Sequence, residues 1–161
     1  MNKKDTVVFD LDGTLLDTLE DLKNSVNYAM TQCGYPEHTL DEVRRYVGNG
    51  ILLLMQRAIP GGKDDPNFDK AFTLFKEHYG KHCNDTTKSY AGIMELLHTL
   101  KENNIKIAIV SNKADFAVKE LNAIYFKDLI PVAIGEKESE GIRKKPAPDT
   151  VIEALKQLGS T

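Results

Sequence analysis

Two rhythms of apolar and polar positions alternate along the chain. Thr6 to Leu11 is a short apolar run closed by a turn signal, the pattern of a buried strand. From Thr18 the spacing changes. Leu19, Leu22, Val26, Ala29, Met30 and Cys33 share one helical face, with Thr18 and Asp21 set as an N-terminal cap and Gly34 as the stop. Thr39 and Glu42 have the spacing of a capping box ahead of Val43, Tyr46 and Val47. Gly48-Asn49-Gly50 interrupts that helix, Ile51 to Ile59 makes a short apolar one, and Pro60-Gly61-Gly62 ends it. Phe68, Phe72, Phe75 and Tyr79 stripe a fourth helix and read as core. Residues 18–85 therefore predict an all-helical unit.

The first rhythm then returns. Ile93, Leu96, Leu97 and Leu100 mark a helix ending near Asn103-Asn104. Ile105 to Val110 is a second buried strand, ending at Ser111-Asn112-Lys113, and Ala114, Ala117, Val118, Leu121 and Ile124 continue as a helix. Val132 to Gly135 is a third, short strand. Pro148 opens a last helix with Val151, Ile152, Leu155 and Leu158 inward and Gly159 as its stop. Strands alternating with helices predict an α/β fold built on a Rossmann-like, doubly wound parallel sheet. Residues 1–17 and 86–161 form this core, and 18–85 are inserted into it.

Composition narrows the function. The 161 residues suit one domain with a small insert, and 41% hydrophobic with 28% charged residues is ordinary for a globular protein. A net charge of −3 gives no drive toward nucleic acid or an anionic membrane. No apolar run approaches the ~20 residues of a membrane span, and the start is too short in apolar residues for a signal peptide. Cys33 and Cys83 form no disulfide framework and suit a reducing, cytoplasmic compartment.

The chemistry concentrates where the first strand stops. Asp10 and Asp12 end it, with Gly13 directly behind. A buried strand that stops at Asp-x-Asp-Gly holds two acids at the carboxyl edge of a sheet, where ligands of α/β folds sit. Parallel strands bring Ser111, Asn112 and Lys145 to the same edge. A carboxylate nucleophile, a hydroxyl and an amide to hold oxygens, and a lysine to balance charge suit phosphoryl transfer. Paired carboxylates also suit a hard cation such as Mg²⁺.

With these residues in view, the chain resembles the phosphatase branch of the haloacid dehalogenase superfamily, and most nearly its phosphoglycolate phosphatases. The likeness rests on Phe9-Asp-Leu-Asp-Gly-Thr-Leu-Leu-Asp17, then Val110-Ser-Asn-Lys113, then Arg143-Lys-Lys-Pro-Ala-Pro-Asp149. It implies a small phosphorylated metabolite as substrate, Mg²⁺ as cofactor and an aspartyl phosphate as intermediate. Asp10 would be the nucleophile and Asp12 the acid and base, and both would hold the metal, Asp12 through its backbone carbonyl. Ser111 and Asn112 would bind phosphoryl oxygens and Lys145 would neutralise charge; Lys113 reads either as a surface lysine or as one that faces the substrate. The helical insert resembles the family's cap domain, which closes over the site, and its Gly48-Asn49-Gly50 is either a helix break or a substrate loop.

One departure stands out. The family's fourth motif, an acidic turn after a further strand, has no counterpart before Thr161. Glu136, Glu138 and Glu140 lie ahead of the third motif and cannot serve. The expectation is of a fragment whose first strand lies on an open edge, a surface for self-association. Two other readings therefore stay open beside the hydrolase: a sugar-phosphate mutase of the same superfamily, and an impaired fragment that pairs with itself. His78 and His82 have the spacing of a metal pair, but no third ligand accompanies them and Gly80 weakens the helix between. His38 and His98 read as surface residues, and Arg143 and Lys144 as a solvated charge run.

Overall fold

The computed structural model describes residues 3–160. In chain order the elements are β1 (Thr6–Phe9), β2 (Leu16–Asp17), α1 (Leu19–Gln32), α2 (Leu40–Tyr46), α3 (Ile51–Ala58), α4 (Phe68–His82), β3 (Lys88–Ser89), α5 (Ile93–Glu102), β4 (Lys106–Ala114), α6 (Asp115–Tyr125), β5 (Val132–Glu136) and α7 (Asp149–Leu158). Single 3₁₀ turns occupy Gly62–Asp64 and Glu138–Glu140. The chain divides into two compact units, residues 1–16 with 89–161 and residues 17–88.

The first unit is an α/β layer fold. Its sheet has the order β1-β4-β5, parallel throughout, with Val7 opposite Ile107, Phe9 opposite Ile109 and Ile109 opposite Ala133. Alternation along β4 sends side chains to both faces. Ile107 and Ile109 join a cluster with Leu97 of α5 and Val118 and Leu121 of α6. Ala108 and Val110 meet Ala154 of α7 on the opposite face. Each fully buried Leu or Ile in these clusters contributes about 1.5–3 kcal/mol. The sheet is thus covered on both sides, which explains why β4 reads as one continuous apolar run.

The second unit is helical. Leu22, Val26, Ala29 and Met30 of α1 bury against Phe68, Ala71, Phe75 and Tyr79 of α4, with Val43, Leu54 and Met55 closing the core. The helix stops lie where the sequence sets them. Gly34 and Tyr35 return their amides to Thr31 and Met30 carbonyls at 3.2 and 2.9 Å, ending α1. Thr39 caps α2 by accepting the Glu42 amide at 3.2 Å.

Several local expectations change; Ile152, set inward on the last helix by its spacing, is 58% exposed, and Ala154 is buried there instead. Thr18 precedes α1 but makes no side-chain capping bond: its backbone at φ −106°, ψ 0° lies outside the extended region an N-cap uses, and the Asp21 carboxylate is instead buried and bonded to Thr86 and Thr87. β4 runs on to Ala114 instead of ending at Val110, with a register shift against β5 between these two residues. Its polar end stays extended because each side chain finds a partner there. His38 is not a free surface residue: its ring meets Glu42 and the Ala58 carbonyl, both at 2.7 Å, and packs edge-on to Tyr46. Arg143 is exposed as expected of a charge run, yet it grips Asp149.

Candidate active site

The turn after β1 is nailed down by its apolar residues. Leu11, Leu15 and Leu16 are fully buried, and the amides of Thr14, Leu15 and Leu16 all point at the Leu11 carbonyl. With Leu11 facing inward, its neighbours Asp10 and Asp12 face outward. Gly13 closes the turn at φ +78°, its amide 2.9 Å from the Leu16 carbonyl, in a region that L side chains rarely adopt. Two carboxylates are therefore presented side by side by a rigid hydrophobic anchor.

Each carboxylate has its own lysine. The Lys145 ammonium lies 2.9 Å from Asp10 Oδ1 and donates to the Val110 carbonyl at 3.0 Å. The Lys113 ammonium lies 3.2 Å from Asp12 Oδ1, and its side chain is only 5% exposed. Ser111, buried at the end of the apolar part of β4, directs its hydroxyl to Asp12 Oδ2 at 3.5 Å and accepts the Lys113 amide at 3.1 Å. Asn112 turns to the backbone of Lys145: its Oδ1 accepts the Lys145 amide at 2.9 Å and its Nδ2 donates to the Lys145 carbonyl at 3.2 Å.

Asp10, Asp12, Ser111, Asn112, Lys113 and Lys145 thus meet at the carboxyl edge of one sheet. Gly48, Asn49 and Gly50 belong to the helical unit, where Asn49 Oδ1 accepts from Arg57 at 3.1 Å and Gly50 precedes α3.

The loop that carries Lys145 is braced by Arg143, which the sequence sets in a solvated charge run, and by Asp149. Arg143 donates from its backbone amide, Nε and Nη2 to the Asp149 carboxylate at 3.1, 2.9 and 2.8 Å. That grip holds the Asp149 carboxyl down at about 2. A second brace acts on β4. Asp115 Oδ1 accepts the Gly135 amide at 2.9 Å and the Lys119 ammonium at 2.6 Å. Burial works to raise this carboxyl, but the Gly135 amide and the Lys119 and Lys137 ammoniums outweigh it and hold it below the usual range. The only early signal of either brace was an acid directly at a helix start.

His78 and His82 lie elsewhere, on α4. His78 Nδ1 meets the buried Ser25 hydroxyl at 2.8 Å, and its ring stacks between Tyr28 and His82. Burial first, then the neighbouring His82, pushes His78 below its usual value, while Asp85 opposes them. Among the described residues no group of three or more His, Cys, Asp or Glu side chains gathers as a metal site. No described helix is long and apolar enough to cross a membrane.

Comparison with known proteins places the chain in a family. The profile of the haloacid dehalogenase-like hydrolases matches residues 7–161. The phosphoglycolate phosphatase of Nitrosospira multiformis is 32% identical over 157 residues, covering 94% of this chain and 68% of the relative. That of Pseudomonas putida is 31% identical over 161 residues, covering 96% of this chain and 58% of the relative. Among solved structures, a candidate phosphoglycolate phosphatase from Lactobacillus delbrueckii subsp. bulgaricus superposes with a TM-score of 0.91 at 32% identity, covering 99% of this chain and 75% of that one.

Proposed function

The chain belongs to the haloacid dehalogenase-like hydrolase family, and from that premise we propose that it hydrolyses a small phosphomonoester of the phosphoglycolate type through an aspartyl phosphate on Asp10. One observation carries the reading. Two adjacent carboxylates, Asp10 and Asp12, are each paired with a separate lysine at one sheet edge. A phosphate dianion meets an anionic nucleophile only where cations offset the repulsion, and Lys145 stands beside that nucleophile.

The residues divide the work. An Asp10 oxygen attacks phosphorus as the ester P–O bond breaks, and Asp12, which takes up a proton as the anionic substrate enters, gives that proton to the leaving oxygen. Asp12, now a carboxylate, takes a proton from the water that attacks the phosphorus of the acyl phosphate. Inorganic phosphate leaves and the Asp10 carboxylate returns. The Ser111 hydroxyl donates to a phosphoryl oxygen, and Lys145 and Lys113 hold the two acids in place.

The Asp10 carboxylate and the Asp12 carbonyl are hard oxygen donors. Mg²⁺ binds through one or two carboxylates, substrate phosphate and its own waters, so this donor set fits the ion in kind. When bound there, the ion supplies charge neutralisation at the phosphoryl group. Substrate selection by Gly48-Asn49-Gly50 is part of the same proposal.

Release of inorganic phosphate from phosphoglycolate and from an aryl phosphate tests the reading. Release that stops with a chelator and returns with Mg²⁺ supports it. Isomerisation of a sugar phosphate without phosphate release would make the protein a mutase. No turnover of any phosphomonoester would overturn the proposal.

A further inference from the structure

The backbone of Lys145 sits in a loop outside every helix and strand. Its amide and carbonyl therefore need partners from elsewhere. The Asn112 side chain supplies both, at 2.9 and 3.2 Å. The far end of the same lysine donates to the Val110 carbonyl at 3.0 Å. Val110 and Asn112 flank Ser111 in β4, so one strand holds Lys145 at its backbone and at its ammonium. A carboxamide can accept and donate at once, and neither a carboxylate nor a hydrocarbon of this size can do both.

We propose that Asn112 is a positioning residue for Lys145. It acts through the lysine backbone, not by contact with substrate, and sets the ammonium against Asp10 in register with the Ser111 hydroxyl. This rests on the reading of Lys145 as the charge partner of the phosphoryl-transfer step. A four-carbon stem moves its tip easily when its root shifts, and a misplacement of ~1 Å costs about 10²-fold in rate.

Two measurements on the whole protein test the assignment. The first is hydrogen exchange at the Lys145 amide. Asn112→Ala should speed it about tenfold, as expected for one lost hydrogen bond, while the Ile107 amide in the sheet stays protected. Asn112→Asp keeps the accepting oxygen and should keep most of the protection. The second is a double-variant cycle. Asn112→Ala alone should lower kcat about 10- to 100-fold with KM nearly unchanged. In a Lys145→Ala background the same substitution should have almost no further effect. Multiplying losses in the double variant, a rise in KM with kcat intact, or unchanged exchange at Lys145 would overturn the proposal. If the parent protein releases no phosphate, the reaction assigned above fails on its own, and the exchange comparison still decides whether Asn112 holds Lys145.

Discussion

Gly135 of β5 lies so close to Asp115 that a Cβ built on it would stand 2.4 Å from the Asp115 Cα and 2.5 Å from the Lys113 carbonyl. Both atoms are backbone, so nothing flexible can move aside. The Asp115 carboxylate draws the two segments together by accepting the Gly135 amide at 2.9 Å. β5 therefore presses directly on the part of β4 that carries Ser111 and Lys113. Gly135→Ala is expected to lower stability by about 1–3 kcal/mol, the cost of overpacking a tight site. The displaced Lys113 backbone should also lower kcat. Urea unfolding and steady-state kinetics check the two effects, and an alanine variant with parental values of both would contradict the packing described.

Asp10→Asn keeps the shape of the side chain and removes the attacking anion. Turnover should fall by at least about 10³-fold, or roughly 4 kcal/mol of barrier. His78→Ala is the contrast. His78 is bonded to Ser25 and stacked between two rings in the helical unit, so its loss should lower the unfolding midpoint and leave kcat unchanged. Equal turnover in Asp10→Asn and the parent would remove Asp10 from the mechanism.

Local physics made part of this molecule readable in its sequence. The inward Leu11 between Asp10 and Asp12, the Thr39 cap and the Gly34 stop are all set by residues within five positions of one another. The meeting of Asp10, Asp12, Ser111 and Lys145 at one edge follows from parallel strands, which the alternation of strand and helix implies. The rest depends on pairings across long stretches of chain. Asn112 reaches a residue 33 positions on, and Asp21 one 65 positions on. In each case the short-range reading gave the side chain a plausible role, phosphoryl contact or a helix cap. The extension of β4 past Val110 was hidden for the same reason, since Ser111, Asn112 and Lys113 are polar and look like a loop until their partners are known.

Asp21 shows what such a long-range pairing is worth. It is 1% exposed, and its carboxylate accepts from the amides and hydroxyls of Thr86 and Thr87 at 2.7–3.0 Å. These bonds tie the end of the helical unit to the first turn of α1. Asp21→Ala leaves those donors unmatched, at a cost on the order of 1–3 kcal/mol for each that stays buried. Thr87→Val, which removes the hydroxyl and keeps the shape, should cost less. Chemical denaturation of both variants measures the difference, and an Asp21→Ala protein as stable as the parent would mean that water satisfies the freed groups.

Acid should loosen the Lys145 loop through Asp149. Its carboxyl titrates at about 2 in the fold against an ordinary 3.8, first because of the Arg143 side-chain bond and then because of the Arg143 amide. The folded state therefore favours the ionised form. The sign follows: the contribution is fully present above about 3.8, declines as the pH falls toward about 2, and is gone below both values. Arg143→Met removes the main cause, so this variant should be less stable than the parent at mildly acidic pH, and the gap should close as the pH approaches 2. The Arg143 side chain is 72% exposed, so high salt should also narrow the gap. Unfolding midpoints of the two proteins across this range, at low and high salt, provide the check. A gap that stays constant with pH would show that the pair braces the loop by packing and not by charge.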